Sequence, residues 1–480
     1  MLQLRFLSRT PRLLVKCRQR GVHTAPLLEE LTERGFIQDV TRKEELAKAL
    51  ASKPQGVYTG VDPTASSLHI GHLVPLLGLV HFHLHGHKIV PLIGSATGRI
   101  GDPSGRSTER KQQTTEDLDN NIAGLTRSVN GFFQRAVKHA STRLGLGKDR
   151  VDGGVEVKSN IDWHEKFSMI DFLQVVGVHA RINTMMNRES VKARLSSQQG
   201  ISFTEFTYQL LQAYDFYFLN KHHGCTIQMG GSDQWGNIIA GIELIGKLSN
   251  DGETASAEGA FGITTPLLTT PSGEKFGKSA GNAIWLDENL TSVFDFYQYF
   301  LKSPDAAMST YLKLFTFLPR NEIDAIVEVH NASPEQRGAQ KVLAAEVTEM
   351  VHGAAALDRV QTLTTLLFPT SSSTSSSASS DYSNLTTESI ISAFGDSDPR
   401  LIYIPENELV ESTPIVKLAK RCGLAASNSA AKTLVASRGL YMNNIVVPDI
   451  QTTVSKSQLI NDRVLVLRAG KDKLAVIIAQ

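Results

Sequence analysis

Residues 62–72 read Asp-Pro-Thr-Ala-Ser-Ser-Leu-His-Ile-Gly-His. The string follows a short apolar run and precedes a helical pattern, so Ser66 or Ser67 is placed to cap a helix that begins here. The first turns of this helix would hold His69 and His72, which the spacing puts on one face. Such a helix start would suit a phosphate whose charge grows in a transition state, because it offers free N–H groups, the positive end of a helix dipole and two imidazole donors. The string therefore predicts a phosphate site beyond the end of a strand.

The same pattern of strand, small-residue loop and helix recurs along the chain. Val57–Asp62, Lys88–Gly94 and Thr226–Gly230 read as strands, and each is followed by a loop of small residues and then a helical pattern. This arrangement predicts a parallel α/β sheet with ligands at the carboxyl ends of its strands. A long, mostly helical insertion, about 115–220, separates the second strand from the third. After about residue 286 the pattern is helical throughout, which predicts a separate α-helical domain over 286–368.

A second basic motif reads Lys275-Phe276-Gly277-Lys278-Ser279. It is not a phosphate-binding P-loop, because Ser272 stands where that loop requires its first glycine. Two lysines three residues apart in a glycine-containing loop are typical either of a solvated surface loop or of a mobile clamp that follows a leaving polyphosphate. The pentapeptide alone does not separate the two interpretations.

Composition narrows the class of protein. The 480 residues are 41% hydrophobic and 20% charged, which indicates a globular chain of two or three domains. No apolar run approaches the roughly 20 residues that a membrane span needs, so we expect no membrane partner. Cys17, Cys225 and Cys422 lie far apart and form no metal-binding or disulfide pattern, so we expect no protein-bound metal.

Charge is segregated along the chain although the net value is only +1. Residues 1–28 carry six Lys or Arg and no acid, interleaved with leucines, which is the composition of a mitochondrial transit peptide and predicts the mitochondrial matrix. Residues 413–480 carry a net +7, whereas 29–412 carry −12. A basic terminal segment on an acidic body indicates local binding of a polyanion.

The C-terminal part of the chain predicts a tethered RNA-binding module. Eight of the eleven residues 370–380 are serine, so 369–412 is expected to be a flexible linker. Beyond it, two short helices and a β-hairpin are predicted within 413–480. The candidate RNA-binding side chains lie on or between the two helices: Lys417, Lys420, Arg421, Lys432 and Arg438.

The two motifs resemble the HIGH and KMSKS signatures of class I aminoacyl-tRNA synthetases, here His69–His72 and Lys275–Ser279. Further strings narrow the resemblance, in family order from about residue 28 to the C-terminus, to tyrosyl-tRNA synthetases of bacterial type. These strings lie at 58–64, 96–105, 203–215 and 228–237. The resemblance implies a Rossmann-like catalytic domain over 29–285, a dimer interface in the insertion at 115–220, an anticodon-binding helical domain, and a small α+β S4-like domain over 413–480. It also implies ATP with Mg²⁺ as substrate, a homodimer, and loading of L-tyrosine onto mitochondrial tRNA(Tyr).

The resemblance also assigns roles residue by residue. Tyr58 and Asp215 should meet the substrate phenol. The substrate ammonium should be held by Asp102, Tyr208 and Gln212, and the rest of the tyrosine site lined by Gln228 and Gln234. Adenosine should contact Asp62, Gly231 and Asp233. The phosphates should contact Thr64, His69, His72, Lys275 and Lys278, with Arg106 and Arg110 helping to grip pyrophosphate.

Two alternatives remain beside this interpretation. A tryptophanyl enzyme is disfavoured because an indole has no phenol to pair with Tyr58 and Asp215. A bifunctional synthetase that also assists group I intron splicing stays open. Thr59, Pro75 and Phe276-Gly277 depart from the commonest family pattern, which bears on affinity for ATP and not on the reaction.

Overall fold

The chain divides into two units, one spanning Gly21–Gly353 and one beginning at Ala354. The computed structural model describes residues 26–105, 108, 113–146, 155–196, 200–249, 259–267, 278–279, 282–367, 385–394, 398–470 and 473–480. The predicted transit segment lies almost wholly outside the described residues, as does the serine run at 370–380.

A six-stranded sheet forms the centre of the first unit. Its order is β1-β6-β5-β2-β3-β4, and all neighbours are parallel except β1, which runs antiparallel to β6. From the central β2 the chain continues to β3 on one side and later to β5 on the other, so ligands are expected beyond the carboxyl ends of β2 and β5. The strands are β1 (Asp39–Val40), β2 (Gly56–Val61), β3 (Lys88–Ile93), β4 (Lys158–Ser159), β5 (Cys225–Gly231) and β6 (Phe261–Thr265).

The predicted α/β sheet is confirmed, and the three predicted strands, β2, β3 and β5, begin and end within a residue of the expected positions. Strands β1, β4 and β6 were not predicted. Strands of this sheet have buried apolar residues on their faces, which makes them recognisable in the sequence. In β3 and β6 the side chains on both faces are buried, as expected for parallel strands that lie between helices. Outside the sheet, β7 (Lys278–Ser279) pairs with β8 (Asn282–Ala283).

Helices surround the sheet and form the insertion. Serine or threonine caps begin α4, α6, α9 and α11, where each hydroxyl accepts a backbone N–H three residues on. The helices of this part are α1 (Leu27–Arg34), α2 (Lys43–Ser52), α3 (Leu73–Leu84), α4 (Thr115–Leu144), α5 (Ile161–His164), α6 (Met169–Val175), α7 (Ile182–Met186), α8 (Glu189–Leu195), α9 (Phe203–His223) and α10 (Trp235–Ser249).

Four further helices complete the first unit and are joined to it by buried and half-buried polar contacts. Glu346 accepts from Arg143 Nε of α4 at 2.9 Å, and Arg34 of α1 donates to the carbonyls of Thr316 and Leu318 at 3.2 and 3.0 Å. The predicted helical domain is therefore packed onto the sheet-bearing part and is not a separate body. Its helices are α11 (Val293–Leu301), α12 (Met308–Phe315), α13 (Arg320–Ala332) and α14 (Gly338–His352).

The second unit is a small α+β domain with a five-stranded sheet of order β11-β10-β12-β13-β9. The predicted helix pair and hairpin are present, and Ser427 caps its helix as expected. The strands are β9 (Leu401–Ile404), β10 (Leu440–Met442), β11 (Ile445–Val446), β12 (Val464–Ala469) and β13 (Lys473–Ala479). The helices are α15 (Ala354–Leu367), α16 (Thr387–Phe394), α17 (Glu406–Leu409), α18 (Ile415–Arg421) and α19 (Asn428–Ala436).

Two boundaries differ from the sequence-based expectation. The segment 369–412 is not linker throughout, because β9 adds to β13 as a parallel strand and α16 packs its apolar face on the same sheet. Helix α15 was expected in the helical domain, but Leu366 shares a core with Ile390, Val464 and Val476 of the second unit. Burial of these side chains decides both boundaries. Among the described residues, no helix is long and apolar enough to cross a membrane.

Candidate active site

A cavity of about 560 Å³ opens at the carboxyl ends of β2 and β5. Most of the predicted substrate residues line it, although they come from segments far apart in sequence. Those residues are Tyr58, Asp62, Thr64, His69, His72, Asp102, Tyr208, Gln212, Asp215, Gln228, Gly231, Asp233 and Gln234. Helix α9 contributes three of them, spaced four and three residues apart, so they share the face that covers the sheet.

Asp215 is a buried carboxylate held by three donors. Its Oδ1 accepts from Trp163 Nε1 at 2.8 Å and from His164 Nε2 at 2.7 Å, and its Oδ2 accepts from Asn160 Nδ2 at 3.0 Å. The three donors lie on and just before α5, immediately after β4. We did not predict them from sequence, although polar residues that follow a parallel strand are a signal that could have indicated them.

Tyr58 lies on β2 in the same part of the cavity and is 1% exposed. Its hydroxyl has no protein partner in the described structure. Burial, reinforced by the charge of Asp215, raises the pKa of Tyr58 well above its ordinary value, so the phenol stays protonated. A buried hydroxyl and a buried carboxylate are thus available together, and a ligand hydroxyl that could pair with both would satisfy them.

A network of amides and carboxylates forms the next part of the cavity wall. Asp102 Oδ2 accepts from Gln234 Nε2 at 2.7 Å, and Gln234 Oε1 accepts from Gln212 Nε2 at 3.2 Å. Asn237, to which we gave no role from sequence, donates to Gln212 Oε1 at 3.0 Å and to Ser104 Oγ at 3.3 Å. The network fixes the orientation of each amide and leaves a carboxylate beside them, a combination suited to an ammonium group.

Asp62 and Tyr208, predicted for different parts of the substrate, are hydrogen-bonded to each other at 2.8 Å. The other oxygen of Asp62 accepts from Thr97 Oγ1 at 2.7 Å. Burial, followed by the Asp62 charge, raises the pKa of Tyr208 well above its ordinary value. Gly94 lies against this pair, and a Cβ built there would overlap the Asp62 carboxylate. The backbone at position 94 packs so closely against Asp62 that only glycine fits there.

The two histidines of the opening string stack on each other, with ring centroids 3.9 Å apart. The expected cap at Ser66 or Ser67 is wrong, because the helical turn begins at Ile70 with His69 as its capping residue. His69 Nδ1 accepts from the N–H of Gly71, and His72 Nδ1 accepts from the N–H of His69, both at 3.1 Å. Because each Nδ1 is an acceptor, each Nε2 carries the proton and is a donor.

His72 stays neutral. Burial, and then the neighbouring His69, lowers the pKa of His72 from 6.5 to about 3. The backbone around the pair is fixed by residues 284–286, since the N–H of Ile70 donates to Ile284 at 3.0 Å and the N–H of Leu286 donates to Leu68 at 2.8 Å. The pair therefore provides two oriented N–H donors, and both histidines line the cavity.

The remaining predicted residues lie wholly or partly outside the described residues, or in the second unit. Lys275, Arg106 and Arg110 lie outside the described residues, as does the side chain of Lys278. The predicted RNA-binding residues all belong to the second unit. Arg421 on α18 pairs with Glu408 at 2.7 Å, and Arg438 follows α19 with a positive φ of 56°.

Comparison with known proteins defines the class. The family model for class I tRNA synthetases of tryptophan and tyrosine matches residues 50–369. Mitochondrial tyrosine–tRNA ligase of Saccharomyces cerevisiae is 39% identical over 94% of this chain and 88% of its own length, and that of Homo sapiens is 46% identical over 70% and 69%. Tyrosine–tRNA ligase of Macrococcus caseolyticus is 38% identical over 95% of this chain and its full length.

A solved structure agrees with these relatives. The C-terminally truncated mitochondrial tyrosyl-tRNA synthetase of Aspergillus nidulans covers 72% of this chain and 94% of its own, with 36% identity and a TM-score of 0.63. The fold, the cavity and these similarities place the chain among the class I tRNA synthetases. Within that class, the chain belongs to the tyrosyl-tRNA synthetases of the bacterial and mitochondrial type.

Proposed function

We propose that the chain activates L-tyrosine with ATP, releasing pyrophosphate, and transfers tyrosine from the adenylate to the 3′-terminal adenosine of mitochondrial tRNA(Tyr). Membership of the family supports an aminoacyl-tRNA ligase that uses ATP. The observation that carries the choice of amino acid is the buried pair of Tyr58 and Asp215.

The substrate phenol would lie between these two side chains. Its hydroxyl would donate to Asp215 Oδ2, which accepts one described donor, and accept from the Tyr58 hydroxyl, which has no protein partner. Phenylalanine would leave the Tyr58 hydroxyl without a partner and the second position on Asp215 Oδ2 unfilled, which costs far more than a lost methylene. An indole would not satisfy them either. The pocket thus selects tyrosine by hydrogen bonding, and an editing site is not required.

At the other end of the cavity, the protein contributes position and charge and no nucleophile. The tyrosine carboxylate attacks the α-phosphorus of ATP, the bond from that phosphorus to the pyrophosphate oxygen breaks, and the oriented Nε2–H donors of His69 and His72 stabilise the growing negative charge. Lys275 and Lys278 would add positive charge to the leaving pyrophosphate. ATP would arrive as its magnesium complex, so Mg²⁺ is part of the substrate.

Two further proposals concern the assembly and the location of the enzyme. The yeast and human relatives are named mitochondrial, and the acid-free N-terminal sequence supports import into the matrix. The insertion exposes apolar side chains that a monomer would not need to expose, which supports a homodimer. This insertion patch comprises Met169, Ile170, Leu173, Val178, Ile182 and Met186, each at least 44% exposed.

Transfer RNA would contact the second unit and the helices α11–α14. The second unit contains the +7 segment, and Lys417, Lys420 and Arg421 share one face of α18 at spacings of three and four residues. Basic faces of this kind bind nucleic-acid phosphates and release counterions.

The test of the proposed function is ATP–pyrophosphate exchange measured with each of the twenty amino acids. Tyrosine alone should support exchange, and Asp215→Ala should abolish it because the phenol then loses its acceptor. Asp324→Ala, which removes an exposed carboxylate on α13, is the matched control and should behave as wild type. Exchange driven by another amino acid, or wild-type exchange by folded Asp215→Ala, would refute the assignment.

A further inference from the structure

One of the three donors to Asp215 is a histidine, and its place in the fold points to a specific task. His164 is the last residue of α5 and its side chain is 8% exposed. Its ring centroid lies 5.7 Å from that of Tyr214 and 6.3 Å from that of Trp163. Tyr214 is itself stacked on Phe167 at 4.7 Å. Aromatic rings on two sides therefore fix the plane of the imidazole, and its Nε2 meets Asp215 Oδ1 at 2.7 Å.

The bond has a defined direction. An ionised carboxylate can only accept, so Nε2 of His164 must carry the proton in this contact. Trp163 Nε1 can only donate, and it contacts the same oxygen at 2.8 Å. Two donors occupy the two lone pairs of Oδ1. On Oδ2 the single described donor is Asn160 Nδ2, which leaves one lone pair for another donor.

The cavity shows where that lone pair is used. Asp215 and Asn160 line the cavity, whereas Trp163 and His164 do not line it. His164 therefore contacts the carboxylate from behind and has no contact with the space that the substrate would occupy. We propose that His164 is a positioning residue for tyrosine recognition: by saturating Oδ1 together with Trp163, it holds the carboxylate plane so that the free lone pair of Oδ2 points at the substrate phenol. The inference rests on the proposed function.

Removal of the His164 donor has a predictable consequence. Oδ1 would then hold an unpaired lone pair in a buried site, a state that costs free energy. Rotation of the carboxylate toward another donor would relieve this cost, but it would carry Oδ2 away from the phenol. Loss of the donor should therefore weaken recognition of the tyrosine hydroxyl. It should not change the binding of ATP, of the amino-acid backbone or of phenylalanine.

The experiment compares His164→Phe, which keeps an aromatic ring but removes the donor, with His164→Gln, which keeps an N–H. Exchange kinetics with tyrosine, phenylalanine and ATP are measured for both and for wild type. His164→Phe should raise KM for tyrosine by roughly tenfold, leave KM for ATP unchanged, and lower the preference for tyrosine over phenylalanine by a similar factor. His164→Gln should recover most of the preference.

Three outcomes would overturn the inference. His164→Phe could keep the wild-type preference, His164→Gln could lose as much as His164→Phe, or activity with tyrosine and phenylalanine could fall equally. If His164→Phe does not fold, His164→Leu makes the same test with a smaller side chain, and failure of both to fold would show a structural role instead. Failure of the proposed function is distinguishable, because wild-type protein would then show no tyrosine-dependent exchange.

Discussion

His72 is a neutral donor, and its chemistry can be tested directly. His72→Asn removes the Nε2 donor, so the rate of adenylate formation should fall roughly 10²-fold, while the dissociation constant for tyrosine changes little. Stopped-flow measurement of adenylate formation gives both quantities. An unchanged rate with weakened tyrosine binding would contradict the role.

The lowered pKa of His72 adds a pH test at the same residue. The ring stays neutral down to about pH 3 in the folded protein, whereas in the unfolded chain it takes up a proton near pH 6.5. Its contribution to stability is therefore lost as pH falls below about 6.5, because the unfolded state then binds the extra proton. The free energy of unfolding of His72→Asn should fall less on acidification from pH 7 to 4 than that of wild type. An equal fall in both proteins would show that His72 is not the buried neutral group.

Functional residues can be predicted from sequence where they belong to one continuous string. They are predicted poorly where, like the donors to the Asp215 carboxylate, they come together only in the folded chain. The histidines of 62–72 were proposed from their local pattern, whereas the cavity residues of α9 were proposed from the resemblance of 203–215 to a known family. Asn160, Trp163 and His164 meet Asp215 only in the folded chain, because they lie more than fifty residues from it in sequence and no local periodicity marks them. The cap at His69 was missed for a related reason, since backbone pairing with 284–286 sets where the helical turn begins.

At the scale of elements, Arg34 joins α1 to the segment after α12. The guanidinium is 8% exposed, pairs with Glu30 at 2.9 Å and donates to the carbonyls of Lys313, Thr316 and Leu318 at 3.0–3.3 Å. Arg34→Met would leave buried carbonyls without this donor, so the free energy of unfolding should fall by about 2–3 kcal/mol.

The midpoint and slope of urea unfolding check this prediction, and Arg320→Met is its control. Arg320 also pairs with a glutamate, Glu33 at 2.7 Å, but its side chain is 63% exposed. An exposed pair contributes less than about 1 kcal/mol, so the control should unfold close to wild type. Equal destabilisation of both variants would mean that the carbonyl contacts of Arg34 contribute nothing.

The predicted linker was too long because it included secondary-structure elements that form only with distant partners. Composition identified the serine run, but the short strand Leu401–Ile404 is stabilised by pairing with β13, some seventy residues later, and by burial of Leu401 in the same core. A four-residue strand carries too little periodicity to be recognised alone. In contrast, Ser427 at the start of α19 was identified because a cap is a local signal.

At the scale of the whole molecule, the insertion patch predicts a dimer. Met169 and Ile170 are 70% and 68% exposed, whereas Phe132, Phe133 and Val176 of the same insertion are buried in the core. Wild-type protein should sediment as a dimer of 52.4 kDa chains at micromolar concentration. Met169→Asp with Ile170→Asp should give monomers, because desolvating two carboxylates at an apolar interface is unfavourable. Leu290→Asp, an exposed apolar residue outside the insertion, is the control. A dimer that survives the double substitution would place the interface elsewhere.

The last prediction separates tyrosine activation from tRNA charging. Helix α15 shares the core of the second unit, so truncation after Gly353 removes that unit whole and leaves the sheet and cavity intact. Truncation near residue 369 would instead leave α15 in place with its apolar face exposed. The shorter protein should keep ATP–pyrophosphate exchange and lose most tRNA charging.

The matched test in the full chain is Lys417→Glu with Lys420→Glu, two side chains on one face of α18, against a control that places the same charge change elsewhere in the unit. That control is Lys473→Glu with Arg463→Glu. If α18 binds tRNA phosphates, the double substitution on α18 should weaken tRNA binding without changing ATP–pyrophosphate exchange. The slope of the logarithm of the binding constant against the logarithm of salt concentration should become shallower by about 1 for each phosphate that is no longer neutralised. Equal effects from both pairs would mean that the unit acts through its net charge alone, and full charging by the protein ending at Gly353 would exclude the second unit from tRNA recognition.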